Sequence, residues 1–249
     1  DFKERIAIFR PEEYEREISF HRTLTEFQYA LSNGRITYYL QPQVDMETGE
    51  ITGAEALTRW IDKDGSLISP VTFIPALEES GFVVTLDKYV WQGVASWLRG
   101  RIDRGLRVVP ISLNVSRVDI LACDVAEHMG ALADQYNLPP ELMRIEITET
   151  AYTGESEAVD KLTADLHNRG FSTYMDDFGT GQSTLAMLKN VNVDVIKLDR
   201  TFVPVDGDQG RSVQIISSML EMAQSLHLPV VVEGIETNEQ ANMLRQMGA

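Results

Sequence analysis

The sequence predicts an α/β protein, a parallel β/α barrel opened by an antiparallel hairpin. Three observations predict it. From Ile36 onward, strand patterns alternate with helical ones, as successive βα units of a parallel sheet do. The first two strands are separated only by the turn residues Glu47-Thr48-Gly49, too short a link for a parallel crossover. Third, Glu55, Asn114, Glu146, Glu149, Asp176, Asp177 and Glu233 sit where strand patterns end, and Lys197 ends another strand of the series. Parallel strands that deliver polar residues at their carboxyl ends describe one rim of a β/α barrel, the rim on which active sites are built.

The elements follow in order. Asp1 to Phe9 reads as a short strand, apolar at Ile6, Ala7, Ile8 and Phe9. Pro11 opens a helix whose acids gather in the first turns, where the helix dipole favours them. Phe20, Leu24, Phe27 and Leu31 recur at helical spacing until Asn33-Gly34 stops it. Strand and helix together read as the tail of a preceding domain (1–9) and a linker (10–34), with the barrel domain over 35–249. The hairpin follows as Ile36 to Asp45 and Ile51 to Trp60. Helix then fills about Pro70 to Gly100. Next come strand Val108 to Val115, helix Ile120 to Tyr136, strand Met143 to Thr148 and helix Glu155 to Arg169. Strand Ser172 to Asp176, short helix Gly181 to Leu188, strand Val193 to Leu198, helix Ser212 to His227, strand Val230 to Glu233 and helix Asn238 to Met247 complete the chain. That makes seven strands after the linker. An eight-stranded barrel needs one more, so the last strand is expected beyond Ala249.

Composition bounds the function. The 249 residues carry 38 acids against 22 Lys and Arg, a net charge of −16. Non-specific binding to a nucleic acid polymer or an anionic membrane needs a basic face and is not expected. The single cysteine, Cys123, allows no intrachain disulfide and fits a reducing cytoplasm. It lies in a helical stretch and reads as a packing residue. No apolar run reaches the ~18 residues of a spanning helix, although the parent protein could be membrane-anchored. His21, His128, His167 and His227 all fall in helical patterns without ligand spacing. Trp60, Trp91 and Trp97 read as packing between helices and sheet.

Strand alternation sorts the polar residues. Glu55, Leu57 and Arg59 share one face of their strand, with Ala54, Ala56 and Trp60 on the other. Ser112 and Asn114 oppose Ile111, Leu113 and Val115. Glu146 and Thr148 alternate with Ile145 and Ile147, and Lys197 pairs with Val195 against Ile196 and Leu198. Four strands thus each turn a polar residue inward near one end. Acids from several strands aimed at one spot repel unless cations lie between them, so the pattern asks for divalent metal. Asp176-Asp177-Phe178-Gly179-Thr180-Gly181 is the most specific piece: two adjacent acids end a strand and a Gly-Thr-Gly turn follows. Two such acids can serve two metals that clamp a phosphoryl group, while the plainer alternative is helix capping by Asp177.

Glu55-Ala56-Leu57 with Arg59, Asn114-Val115-Ser116, Glu146-Ile147-Thr148-Glu149, Asp176 to Gly181, Ile196-Lys197-Leu198-Asp199-Arg200 and Val232-Glu233-Gly234-Ile235-Glu236 follow one another from about Ile36 to the end. In these motifs and their order the chain carries a resemblance to the EAL-domain cyclic-di-GMP phosphodiesterases. It implies a modified TIM barrel with an antiparallel first strand. It implies metal-dependent hydrolysis of cyclic-di-GMP to linear pGpG, with two Mg²⁺ or Mn²⁺ ions held by Glu55, Asn114, Glu146, Asp176 and Asp177. Lys197 would orient the attacking water, Glu233 would be the general base and Glu149 would hold the loop from Phe178 to Gly181. Gln41 and Arg59 would contact the substrate, with Leu57 packing beneath it. Arg5 to Phe9 resembles the end of a GGDEF domain, implying a GGDEF or other sensory domain upstream. A homodimer is expected through the helix after Gly181, next to Asp176 and Asp177.

Two departures stand out. Gln182 occupies a position where many family members carry Tyr, and the family's closing Gln-Gly-Tyr motif is not in the sequence. The main alternative is a degenerate domain that binds cyclic-di-GMP or a partner without cleaving it; the filled ligand, Lys and base positions favour the enzyme. A second alternative is an unrelated barrel lyase that uses strand-end carboxylates and Mg²⁺.

Overall fold

The computed structural model describes residues 11–154, 156–180, 192–204 and 210–248. The strand read at 1–9 and the helix read at 181–188 lie outside the described residues. Two compact units emerge. One takes the chain up to Tyr38 together with Thr58–Val83, the other Tyr39–Leu57 and the chain from Val84 onward.

The first unit is built on α1 (Pro11–Ser32) and α2 (Pro70–Ser80). The helical spacing of α1 buries Phe27 and Ala30. Gly34, at φ 65°, takes the left-handed conformation that ends the helix, and the Arg35 N–H closes it on the Ala30 carbonyl at 2.8 Å. Trp60 packs edge-on against Phe73 and Phe27, with centroids 5.2 and 6.0 Å away. A two-residue strand not foreseen in the sequence, β3 (Leu67–Ile68), pairs antiparallel with the end of the second strand.

Strands β1 (Ile36–Val44) and β2 (Ile51–Ile61) form the expected hairpin: the Asp45 N–H bonds the Glu50 carbonyl at 2.9 Å across the turn. Asp45 holds that turn, its Oδ1 accepting from the Thr48 N–H at 2.7 Å and the Glu47 N–H at 3.1 Å.

In the second unit β2 continues into a parallel run: β4 (Ile111–Val115), β5 (Met143–Thr148), β6 (Ser172–Phe178), β7 (Val195–Leu198) and β8 (Val230–Val232). The sheet order is β1-β2-β4-β5-β6-β7-β8, with β3 on β2. The α/β class and the antiparallel start therefore stand. The apolar faces read from alternation, Ile111, Leu113 and Val115, then Ile145 and Ile147, then Ile196 and Leu198, are all buried.

The helices are shorter and more numerous than the periodicity suggests. The run from Pro70 is two helices, α2 and α3 (Val83–Asp103), separated at Gly81, whose φ of 78° only glycine takes freely. The run from Ile120 is likewise two, α4 (Arg117–Ala122) and α5 (Val125–Tyr136), because Asp124 caps α5 by accepting from the Glu127 N–H. Cys123 is thus extended between helices rather than within one. A short α6 (Glu149–Gly154) precedes α7 (Ser156–Asn168); α8 (Arg211–Ser225) and α9 (Asn238–Gln246) follow β7 and β8. His227 lies past the end of α8, at φ 57°. No helix among the described residues is long and apolar enough to cross a membrane.

Candidate active site

Parallel register sets the site. Glu55 lies beside Ser112, Asn114 beside Glu146, and Thr148 beside Asp176. Each pair sits at the same height on neighbouring strands, so the inward-facing polar residues form a band across the sheet. At its centre is Lys197 on β7, 1% exposed. Its Nζ lies 2.6 Å from Glu146 Oε2, 2.7 Å from Glu233 Oε1, 2.9 Å from Asp176 Oδ1 and 3.1 Å from Glu55 Oε2. Four carboxylates from four segments share one ammonium.

That arrangement fixes the charges. Burial works against the Lys197 ammonium, but Glu146, Asp176, Glu55 and Glu233 outweigh it and hold the group well above its ordinary value. Lys197 is therefore charged, as expected from its neighbours. Burial pushes Glu146 up to about 8; Lys197 opposes the rise while Glu55 and Asp176 add to it. Burial also raises Glu233 against the pull of Lys197, and raises Asp177 with help from Asp176 and Asp199. The site holds more negative charge than its one cation can neutralise.

The two adjacent aspartates have a local explanation. On β6, Met175 faces Ile196 and Phe178 faces Leu198, so Asp176 and Asp177 together oppose the single residue Lys197. This is a β-bulge, which re-aims side chains that strict alternation would send to opposite faces. Asp177 sits at φ 55°, a left-handed conformation that Asp tolerates better than most side chains. The turn beyond it is closed by Thr180, whose N–H and Oγ1 both bond the Asp177 carbonyl, at 3.2 and 2.8 Å.

The remaining residues split into two groups. Asn114 Nδ2 donates to Glu55 Oε1 at 3.0 Å, which leaves the Asn114 amide oxygen as an available ligand. Glu149 opens α6 rather than ending β5, and its Oε2 accepts from the Gly179 N–H at 2.8 Å. Glu55 lies within β2, not at its end, because the strand runs on to pair with β3. Glu233 follows β8 by one residue; its N–H bonds the Leu198 carbonyl at 3.0 Å, and its side chain reaches back to Lys197. Asn114, Glu55 and Glu233 belong to the convergent set around Lys197, while Glu149 stands on the Gly179 turn. Gln41 is exposed on β1 and Leu57 half-buried on β2. Arg59 lies in the stretch assigned to the first unit, where it bonds the carbonyl of its neighbour Thr58 at 2.8 Å.

Sequence reasoning missed two supports. The buried Trp91 of α3 donates its indole N–H to the Asn114 carbonyl at 3.0 Å, which fixes the strand end beside that ligand. Asp119, fully buried in α4, accepts from the Ser116 N–H at 2.8 Å and the Ser116 hydroxyl at 2.6 Å. Ser-x-x-Asp is a capping-box spacing, so Asp119 was findable; nothing in the sequence marks Trp91.

The donor set suits divalent cations. Carboxylates and one amide oxygen are the hard oxygen ligands that Mg²⁺ and Mn²⁺ take. Glu146 Oε1 is buried with no hydrogen-bond partner among the described residues, an oxygen with acceptor capacity to spare. Among the described residues no three acids are arranged as a ready metal-holding group; four of the carboxylates are gathered on the ammonium instead.

The family model described as the EAL domain matches residues 24–249. The probable cyclic di-GMP phosphodiesterase PdeB of Escherichia coli is 32% identical over 225 residues, 89% of this chain and 42% of that protein. The cyclic di-GMP phosphodiesterase RocR of Pseudomonas aeruginosa is 36% identical over 220 residues, 88% of this chain and 55% of that protein. The chain thus spans about half the length of these curated relatives. Among solved structures, the PaMucR phosphodiesterase in complex with c-di-GMP superposes with a TM-score of 0.85 at 27% identity, covering 92% of each chain. With the family model matched over most of its length, the chain belongs to the EAL-domain family.

Proposed function

We propose that the protein hydrolyses cyclic-di-GMP to linear pGpG with the help of divalent cations. The observation that carries this reading is the convergence of Glu55, Glu146, Asp176 and Glu233 on one buried Lys197, with Asn114 and Asp177 alongside. Two relatives named as cyclic-di-GMP phosphodiesterases support it. A solved family member bound to c-di-GMP does too.

Glu55, Asn114, Glu146, Asp176 and Asp177 would hold two Mg²⁺ or Mn²⁺ ions, which polarise a phosphodiester and acidify bound water. The protein's own groups do the rest. Lys197 stays cationic, so it donates hydrogen bonds to the attacking water and offsets charge building on the phosphate. Glu233 is the most exposed of the four acids, at 31%, with its pKa raised toward neutrality; it accepts the water's proton. Water oxygen bonds to phosphorus, the bond from phosphorus to one ribose O3′ breaks, that oxygen takes up a proton to become a hydroxyl, and the ring opens. Glu149 holds the Gly179 turn behind the aspartates. Gln41, Leu57 and Arg59 are the substrate-contacting residues in this scheme.

The relatives' greater length supports a multidomain parent. In this reading residues 35–249 are the phosphodiesterase domain, 10–34 the linker and 1–9 the tail of an upstream GGDEF or sensory domain. The enzyme acts as a cytoplasmic homodimer.

Incubation of purified protein with cyclic-di-GMP and Mg²⁺ or Mn²⁺, followed by chromatography, should show pGpG. Tight binding of cyclic-di-GMP without product would overturn the enzyme in favour of a receptor.

A further inference from the structure

Among the described residues, the turn that ends the Asp176–Asp177 bulge has a polar support and an apolar one. Glu149 takes the Gly179 N–H. The other support is apolar. Gly179 has φ 93°, and a Cβ added there would lie 2.7 Å from Phe202 Cζ, 2.9 Å from Phe202 Cε2 and 2.8 Å from the Met219 methyl. The edge of one ring and the end of one thioether therefore leave no room for a β-carbon at this position.

Both neighbours come from elements that follow Lys197. Phe202 ends the 3-10 turn Arg200–Phe202, which Asp199 caps by accepting from the Thr201 N–H at 2.9 Å. That turn starts two residues after β7. Met219 lies in the middle of α8. Phe202 is half-buried rather than part of the deep core. A left-handed Asp177 persists only where its surroundings over-determine it. Glu149 holds the turn at the Gly179 N–H, and Phe202 and Met219 bound it on the side where a β-carbon would stand.

We propose that Phe202 and Met219 are positioning residues that seat the Gly179 turn, and so fix Asp176 and Asp177 relative to Lys197. The inference rests on the phosphodiesterase reading only for its kinetic consequence. A packing role alone would cost stability and nothing else. A seat has a local signature at Gly179 and a remote one at the acid cluster.

The test compares Phe202→Ala, Met219→Ala and the conservative Phe202→Leu with wild type. Hydrogen exchange of the Gly179 amide is followed by NMR, with the Ile145 amide of β5 as internal reference. Mn²⁺ affinity is measured by titration, and pGpG formation gives kcat and KM. Phe202→Ala should speed Gly179 exchange about tenfold or more over the reference, as local opening does. It should weaken Mn²⁺ binding about 10- to 100-fold, the range for losing a residue that orients metal ligands. Turnover should fall through kcat with KM little changed, and Phe202→Leu should recover most of each effect. Unchanged Gly179 exchange, or unchanged Mn²⁺ affinity, in both alanine variants overturns the seat even if melting temperature drops. If Phe202→Ala fails to fold, the milder Met219→Ala decides by the same readouts. If wild type binds Mn²⁺ but makes no pGpG, the phosphodiesterase reading falls, while exchange and Mn²⁺ titration still judge the seat.

Discussion

The two ends of the β6–β7 pair hold polar clusters of opposite character. At the amino end a single acid, Asp194, is surrounded by donors. Its Oδ2 accepts from the Thr173 N–H at 2.7 Å and lies 3.0 Å from His167 Nε2. The other ring nitrogen of His167 is 3.2 Å from the Asn192 amide nitrogen. At Oδ2 this cluster is saturated with donors, and it ties α7 to the two strands. At the carboxyl end the ratio reverses: four acids share Lys197, and a buried Glu146 oxygen has no hydrogen-bond donor among the described residues. Saturation is what structural polar groups achieve. A standing surplus of buried negative charge costs stability, and it makes sense at a place where cations and a phosphodiester arrive.

Removing the hub should have the largest effect on the carboxyl-end cluster. Lys197→Met leaves the four carboxylates without their shared cation. The expected loss is about 3–5 kcal/mol of stability in chelator, the scale for stripping one partner from a buried ion pair. Turnover should disappear. Added Mn²⁺ should recover part of the melting temperature, since cations then replace the ammonium. Differential scanning calorimetry with and without Mn²⁺ checks this, and no loss of stability in chelator would mean that the cluster is not the charged knot described.

Glu233→Gln comes next and separates chemistry from stability. Glu233 is the outermost of the four acids, so its amide should fold nearly as well as wild type. As the base it should carry roughly 10²–10⁴-fold in kcat. Normal cleavage of cyclic-di-GMP by Glu233→Gln would remove Glu233 from that role.

How far this contrast was legible in the sequence depends on which rule decides each residue. Period-two alternation put Glu55, Asn114, Glu146 and Lys197 on one face, because each strand buries its other face. It could not place Asp176 and Asp177 together, since alternation sends neighbours apart; the bulge opposite Lys197 is a register fact. Helical periodicity also overran the breaks at Gly81 and Cys123, although Gly81 and the capping Asp124 were local stop and start signals. Glu149 looked like a strand end because the sequence does not show where β5 yields to α6. The indole of Trp91 on the Asn114 carbonyl comes from tertiary packing across 23 residues of chain.

A smaller effect is expected from pH. The folded-state pKa values of Glu146, Glu233 and Asp177 are raised by burial. An acid that binds its proton more tightly when folded stabilises the fold below its unfolded value, and loses that contribution as pH rises through its folded value. For Glu146 the window runs from 4.5 to about 8. In chelator the melting temperature should therefore decline across this window, and Glu146→Gln should flatten the decline. Saturating Mn²⁺ should flatten it as well, by favouring the ionised carboxylate. A rise in melting temperature from acid to neutral pH in metal-free protein, with the same slope in Glu146→Gln, would contradict the assignment.

The amino-end cluster supplies the smallest effect on function and the control for the rest. Asp194 and His167 are part-exposed, with side chains 45% and 25% accessible, so water can replace what a mutation removes. Asp194→Asn keeps an acceptor for the Thr173 N–H but loses the charge; His167→Ala loses both ring contacts. Each should cost about 1–2 kcal/mol, the range for one or two partly solvated hydrogen bonds. Activity per folded molecule, Mn²⁺ affinity and the pH profile of turnover should all stay at wild-type values, because the cluster stands at the opposite strand end from Lys197. Melting curves paired with pGpG assays below the transition separate the two quantities. A loss of kcat in Asp194→Asn at full folding would show that the strand pair transmits changes from one end to the other, and that the saturated cluster also helps hold Lys197 in register.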